Sequence, residues 1–86
     1  MKKINQIRQQ IDAVDQKLVE LIEQRAELVL AISVEKQALG LDAHIPEREQ
    51  QIVESLHQRF GDKFSLQELQ EVYQAIFKAS VRIQKS

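Results

Sequence analysis

An apolar seam that extends from residue 4 to residue 39 constrains the fold of this chain more than any other feature of its sequence. Its positions recur at alternating intervals of three and four residues, the spacing of one face of an α-helix that packs along its length. They are Ile4, Ile7, Ile11, Val14, Leu18, Leu21, Leu28, Ile32 and Leu39. The residues between them are mostly helix formers such as Gln, Glu, Lys, Arg and Ala. We predict one helix from about Lys3 to Leu39, about 55 Å long at 1.5 Å per residue.

A helix of that length needs more cover than the rest of the chain supplies. The 86 residues leave room for one domain, which we place over residues 1–86. The remaining half of the sequence cannot bury a rod of about 55 Å. A second copy of the chain is the economical way to cover the seam, so we predict a homodimer.

A short second helix is predicted after a loop. Gly40 stands where a left-handed C-terminal cap belongs, and residues 41–45 form the loop. Pro46 fits the first turn of the next helix, which extends to about Gln58. Gly61 then ends it.

The third helix has the clearest start signal. Ser65 and Glu68 form a capping box, and Phe64 and Leu69 are placed as a hydrophobic staple. An apolar stripe continues nearly to the end of the chain through Leu66, Leu69, Tyr73, Ile76, Phe77 and Ile83. The predicted fold class is therefore all-α, with a protomer of three helices in the order long, short, medium.

Composition excludes several classes of function. The net charge is −1, so no domain-wide positive field attracts nucleic acid or an anionic membrane surface. The absence of Cys excludes disulfides and thiolate metal sites. His44 and His57 lack the spacing of metal ligands, so we assign both to the surface. Residues 1–6 are mostly polar, unlike a signal peptide, and no apolar run reaches membrane-spanning length, so we predict a cytoplasmic protein.

Polar residues interrupt the apolar seams at three positions. Arg25 and Glu35 fall where the first seam requires apolar residues, and Ser80 does so in the third helix. An arginine on a packed face costs free energy unless a counter-ion or hydrogen bonds meet its charge. An internal ion pair would satisfy it, and so would a side chain that extends to solvent. Alternatively, Arg25 and Lys36 share a helix face about 16 Å apart and converge on an anion between them.

Other polar residues could belong to the same anion site. Arg8 lies about 25 Å along the first helix from the seam arginine and about 100° around it, so only a partner helix packed antiparallel could bring it there. Arg48 and Glu49 open the second helix, where they could equally be solvated charges of the first turn. Ser80 and Gln84 are four residues apart and therefore stacked, either in a ligand-filled space or in a frayed final turn.

Taken in order, these residues resemble the AroQ class of chorismate mutases over essentially the whole chain. The first helix carries Ile7, Arg8, Gln9, Gln10, Ile11, Asp12, Asp15, Leu18, Leu21, Arg25 and Lys36, the second opens Pro46-Glu47-Arg48-Glu49, and the third contains Ser80 and Gln84. The resemblance implies a three-helix protomer in an intertwined homodimer with two active sites. It also implies the Claisen rearrangement of chorismate, a small dianion, to prephenate on the route to phenylalanine and tyrosine, with no cofactor.

The resemblance further implies a role for each of seven site residues. Arg8 of the partner subunit and Arg25 would each bind one substrate carboxylate, and Arg48 and Ser80 would help to hold the carboxylates. Lys36 and Gln84 would hydrogen-bond the ether oxygen of the breaking bond. Glu49 would bind the ring hydroxyl. Electrostatic stabilisation and conformational control suffice for such a reaction, since it needs no nucleophile, metal or proton shuttle.

One position departs from the family's pattern. Ile45 stands where many members have an acidic residue on the side of the ring hydroxyl. Two activities on the same fold therefore stay as alternatives: isochorismate pyruvate lyase, which leads to salicylate, and 4-amino-4-deoxychorismate mutase. Glu49 and Ser80 favour the mutase, whereas Ile45 is closer to the lyase. A non-catalytic helical dimerisation module would keep the apolar seams without needing the cationic residues.

Overall fold

Three α-helices and no strands make up the described part of the chain, residues 1–42 and 45–85 of a computed structural model. Helix α1 spans Lys2–Ala38, α2 spans Pro46–Phe60 and α3 spans Leu66–Lys85. Their lengths of 37, 15 and 20 residues confirm the predicted order of long, short and medium. None of these helices combines the length and apolar character needed to cross a bilayer.

Helix α1 ends in a glycine-capped turn, as the sequence predicts. It begins and ends one residue earlier than predicted, and Gly40 follows with a φ of 71°. In that left-handed conformation the N–H of Leu41 donates to the carbonyl of Lys36 at 2.8 Å, and the N–H of Gly40 donates to Gln37 at 3.2 Å. This pair of bonds satisfies carbonyls that the helix end would otherwise leave without donors.

Helix α2 begins without a side-chain cap. Pro46 occupies its first turn as predicted, but the N-cap residue is Ile45, which has no side-chain oxygen to bind the first N–H groups. The helix continues two residues beyond the predicted end, to Phe60, and Gly61 caps it. The predicted surface loop is described except at Ala43 and His44, so the assignment of His44 lies outside the described residues.

The predicted capping box starts α3. The N–H of Ser65 donates to Oε1 of Glu68 at 2.9 Å, and the N–H of Glu68 donates to Oγ of Ser65 at 3.1 Å. The backbone N–H of Ser65, and then its side chain, hold the pKa of the Glu68 carboxyl below its ordinary value because both stabilise the ionised form. Phe64 and Leu69, the predicted staple, line one apolar cleft at this corner.

Removing this cap should lower stability measurably. We expect Ser65→Ala to cost about 1 kcal/mol of unfolding free energy, seen as a fall of several degrees in Tm by circular dichroism. The matched control is Ser55→Ala, an exposed serine inside α2 with no cap to lose. Equal Tm values for the two variants would contradict the capping role.

The Glu68 carboxyl should make part of this stability depend on pH. Its pKa is lower in the folded chain than the ordinary 4.5, so its contribution is complete above that ordinary value. The contribution disappears as pH falls through the lower, folded pKa. We therefore expect Glu68→Gln to lower Tm at neutral pH and to match the wild type at strongly acidic pH; a difference that persists there would refute this cause.

Helix α3 packs against both α1 and α2 and forms the core of the protomer. Among the residues that the structure describes, Val53 of α2 and Phe77 of α3 are the buried apolar ones, 3% and 9% exposed. The predicted stripe of α3 is buried or half-buried throughout, which confirms the face assigned from its spacing. His57 lies half-buried at the surface, and its Nε2 is 3.1 Å from the carbonyl oxygen of Phe64.

The N-terminal half of α1 extends beyond this core. Every residue from 1 to 24 is exposed, including apolar seam residues such as Val14 and Leu21 at 63% and 62%. The chain exposes 7464 Å², whereas a compact monomer of its mass would expose about 5,200 Å². Within one protomer the seam is exposed along its whole length, since Leu28, Ile32 and Leu39 at its C-terminal end are 64%, 51% and 73% exposed. Glu35, which interrupts it, is exposed as well.

Candidate active site

A cavity of about 190 Å³ opens where the C-terminal half of α1, the start of α2 and the end of α3 meet. Its lining includes six of the seven site residues predicted from the sequence: Arg25, Lys36, Arg48, Glu49, Ser80 and Gln84. Three cationic side chains thus face one carboxylate, and the other two polar groups are neutral. Such a lining favours a small ligand that carries more than one negative charge.

Helix geometry accounts for two of the cations. Arg25 and Lys36 are eleven residues apart on α1, close to three whole turns, so both side chains leave the helix on the same side. Both line the cavity and both are half-buried. The sequence predicted this shared face, and the structure confirms that they border one space.

The first turn of α2 supplies a cation and an anion. The N–H groups of Arg48 and Glu49 donate to the carbonyl of Ile45 at 3.1 and 3.2 Å, which fixes the turn although no side chain caps it. Arg48 remains exposed, and Glu49 is half-buried. Ile45 itself lines the cavity, so an apolar side chain stands beside the carboxylate at this end.

Neutral groups of α3 hold the guanidinium of Arg25. Its Nη1 donates to Oγ of Ser80 at 3.1 Å, and its Cζ lies 5.4 Å from the ring centroid of Phe77. The Ser80 hydroxyl donates in turn to the carbonyl of Ile76 at 2.8 Å. In the described part of the chain, Arg25 is therefore held by neutral partners and not by the internal ion pair that the sequence left open, so its charge is available to a ligand.

Gln84 is held by its own helix. Its Nε2 donates to the carbonyl of Ser80 at 3.1 Å, which uses one of the two amide hydrogens. Its Oε1 is buried and accepts no hydrogen bond from the residues that the structure describes. A buried polar atom without a partner is costly, so it marks a place where a ligand or a bound water completes the bonding. The frayed final turn that the sequence allowed is not what the structure shows.

Arg8 does not reach the cavity of its own chain. It is exposed on the extended half of α1, about 25 Å along the helix axis from Arg25. The structure therefore agrees with the sequence argument that this arginine cannot serve the same site within one protomer.

Apolar walls complete the cavity, and sequence reasoning had missed most of them. They are formed by Val29, Ile32, Ile45, Ile52, Phe77 and Val81. Several lie three or four residues from a predicted polar site residue and therefore on the same side of its helix. Val29 is four residues after Arg25, and Phe77 is three before Ser80. That spacing could have identified Phe77 as a site residue, whereas the sequence assigned it only to the apolar stripe.

Chemically, the cavity can bind and orient an anion and can stabilise negative charge. The described residues contain no group of three or more acidic or histidine side chains suited to a metal ion. Arginine forks bind carboxylates in fixed geometry, and an ammonium or amide donor stabilises charge that develops on an oxygen.

Comparisons with known proteins agree with this geometry. The sequence model of the family described as chorismate mutase type II matches residues 7–85. A bifunctional chorismate mutase/prephenate dehydratase of Aquifex aeolicus is 29% identical over an alignment of 89 positions, which covers 99% of this chain. The chain spans only about a quarter of that relative's length, 25%.

A solved structure gives the same result. Chorismate mutase (form II) from Thermus thermophilus superposes with a TM-score of 0.90 and 26% sequence identity. The match covers 96% of this chain and 94% of the other. The family that the residues resembled is thus confirmed by the sequence and by the fold, and the chain belongs to the chorismate mutase type II family.

Proposed function

We propose that this protein is an isomerase that converts chorismate to prephenate in the cavity between its three helices. The observation that carries the proposal is the convergence of Arg25, Lys36 and Gln84, from two helices, on one cavity with excess positive charge. Membership of the chorismate mutase type II family supports the same activity.

The first task of the site is to hold a flexible dianion in a compact, chair-like conformer. Arg25, already fixed against Ser80, would bind one carboxylate through its remaining N–H donors. Arg48 at the start of α2 would assist. Binding both carboxylates removes rotational freedom before the reaction begins, which lowers the entropic part of the barrier.

The second task is to stabilise charge on the ether oxygen as the carbon–oxygen bond breaks. The Lys36 ammonium and the second amide hydrogen of Gln84 are the donors we assign to that oxygen. Donors aimed at charge that grows in the transition state lower the barrier more than they strengthen substrate binding. Glu49 would accept a hydrogen bond from the ring hydroxyl at the opposite end.

A second copy of the chain would complete the site. The exposed area exceeds that of a compact monomer by about 2,200 Å² per chain, which falls in the size range of obligate dimer interfaces. Two α1 helices packed antiparallel would cover each other's apolar seams and bring Arg8 of the partner subunit to the second carboxylate. An intertwined homodimer thus accounts for the exposed seam and for the distant arginine together.

Product analysis tests the function against its alternatives. We expect purified protein to form prephenate from chorismate, and to form no pyruvate or salicylate from isochorismate. The relatives reported above carry the mutase name, so they favour the mutase over the lyase, 4-amino-4-deoxychorismate mutase and a non-catalytic dimerisation module. Release of pyruvate and salicylate, or inertness toward chorismate, would refute the proposal.

Activity should change little with pH in the neutral range. The amide of Gln84 donates a hydrogen bond without titrating, so we expect kcat/KM to stay nearly constant between mildly acidic and neutral pH. The matched variant is Gln84→Glu, whose carboxyl donates only when protonated and whose activity should fall as pH rises. A steep fall for the wild type would contradict the role of Gln84.

We also infer that the partners are limited to the substrate dianion and the second subunit. Nucleic acid and membranes are excluded as partners only by the sequence argument on net charge and apolar runs. A cytoplasmic location likewise stays a prediction from the sequence.

A further inference from the structure

The guanidinium of Arg25 is held on two sides by α3 before any ligand binds. On one edge, Nη1 donates to Oγ of Ser80 at 3.1 Å. On one face, the ring of Phe77 lies 5.4 Å from Cζ, within the distance of a cation–π interaction. A guanidinium has five N–H donors in one plane. The face contact therefore occupies none of them, and four are left for a carboxylate.

The ring of Phe77 is itself fixed in place. Phe77 is 9% exposed, and its ring lies 5.5 Å from that of Tyr73 at an interplanar angle of 50°. It also lines the cavity. An aliphatic residue such as leucine would fill a similar position in the apolar stripe, but it would offer no negative ring face to a cation. Packing alone therefore does not account for an aromatic ring beneath Arg25.

We propose that Phe77 is a positioning residue, whose ring face holds the Arg25 guanidinium in the plane in which it meets a substrate carboxylate. This inference rests on the proposed function, in which Arg25 binds that carboxylate. An arginine side chain loses much rotamer freedom when it is fixed. The ring and the Ser80 hydroxyl already fix the Arg25 side chain when the protein folds. Substrate binding therefore does not carry the entropic cost of ordering that side chain.

The role predicts a specific kinetic change. Phe77→Leu should raise KM for chorismate about threefold to thirtyfold, with a smaller change in kcat, because Arg25 binds the carboxylate in the ground state and the transition state alike. The double variant Phe77→Leu with Arg25→Ala should be no worse than Arg25→Ala alone, since the ring then has no guanidinium to hold. Additive losses would overturn the proposal.

A shape-conserving replacement separates the ring face from packing. Incorporation of 3,4,5-trifluorophenylalanine at position 77 keeps an aromatic ring in place while it weakens the negative potential of its face. We expect KM to rise in this variant too, which keeps the test valid if Phe77→Leu fails to fold. An unchanged KM would overturn the proposal, because it would leave Phe77 a packing role only.

The chain contains a matched control for the arginine–phenylalanine contact. Arg59 lies over the ring of Phe60, with 5.1 Å from Cζ to the centroid, at the far end of α2 and outside the cavity lining. Phe60→Leu removes this second contact and should leave KM for chorismate unchanged. A KM increase equal to that of Phe77→Leu would show that the effect is not specific to Arg25, and would count against the proposal.

An NMR measurement separates the failure of this inference from the failure of the proposed function. The side-chain protons of Arg25 should show an upfield ring-current shift in the wild type, which Phe77→Leu abolishes and Phe60→Leu preserves. If the wild type makes prephenate but Arg25 shows no such shift, the role of Phe77 alone is refuted. If the wild type makes no prephenate, the proposed function is refuted, and the positioning role falls with it even where the shift is seen.

Discussion

Lys36→Ala should lower kcat for chorismate by about 10²-fold to 10³-fold, the effect typical of removing one preorganised donor to a developing oxyanion. The ammonium of Lys36 is one of two donors that we place at the ether oxygen, in a cavity with apolar walls formed by residues such as Val29 and Ile32. A charged donor in such surroundings is worth more than in water, because the low local polarity screens its field less. The loss should therefore fall mainly on kcat, with a smaller change in KM.

The measurement needs a control that removes a lysine without touching the cavity. Lys63→Ala serves this purpose, since its ammonium pairs with Asp62 at 2.9 Å and its side chain is 87% exposed. Circular dichroism and size-exclusion chromatography should show that both variants keep the helical content and oligomeric state of the wild type. Near-normal turnover by a folded Lys36→Ala protein would remove this lysine from the mechanism.

Subunit mixing should restore activity to two inactive variants. We expect Arg8→Ala and Arg25→Ala each to lose about 10²-fold to 10³-fold in kcat/KM, because each deletes a charged partner of a carboxylate. When the two are unfolded together and refolded, half of the dimers should be mixed. One of the two sites in each mixed dimer then has both arginines, so about a quarter of wild-type activity should return.

A second mixture shows whether the recovery reflects a shared site. Arg25 and Lys36 line the same cavity of one protomer, so Arg25→Ala mixed with Lys36→Ala leaves a defect in both sites of every dimer. This mixture should stay inactive. Recovery in both mixtures, or in neither after verified subunit exchange, would contradict a site built from two chains.

The three helices could be predicted from the sequence because their signals are local. The Ser65–Glu68 capping box, the left-handed Gly40 and Pro46 in the first turn of α2 act over three to five residues, and each lies where it was predicted. The buried face of α3 likewise follows from the spacing of its apolar residues, whereas the apolar seam of α1 is exposed within one protomer. Errors of one or two residues at the ends of α1 and α2 arise because the last turn of a helix depends on contacts beyond it.

Local sequence signals predicted only part of the grouping of the site residues. Arg25 and Lys36 lie on one helix, and their separation of eleven residues is close to three whole turns, so their shared face could be predicted. The positions of Arg48, Ser80 and Gln84 beside them came from a resemblance, because no local signal relates residues on different helices. The sequence assigned His57 to the surface but did not predict its contact with Phe64, which the turn between α2 and α3 makes.

What the sequence by itself determined was an all-helical chain with a cation and a hydroxyl at positions that should be apolar. Only the tertiary structure decided how that cation is satisfied. Arg25 and Ser80 are 55 residues apart, and a buried guanidinium can be stabilised by a carboxylate, by solvent or by neutral groups. The packing of α3 on α1 placed Phe77 and Ser80 against Arg25, and since neither carries a charge, the guanidinium keeps its charge for an anion in the cavity.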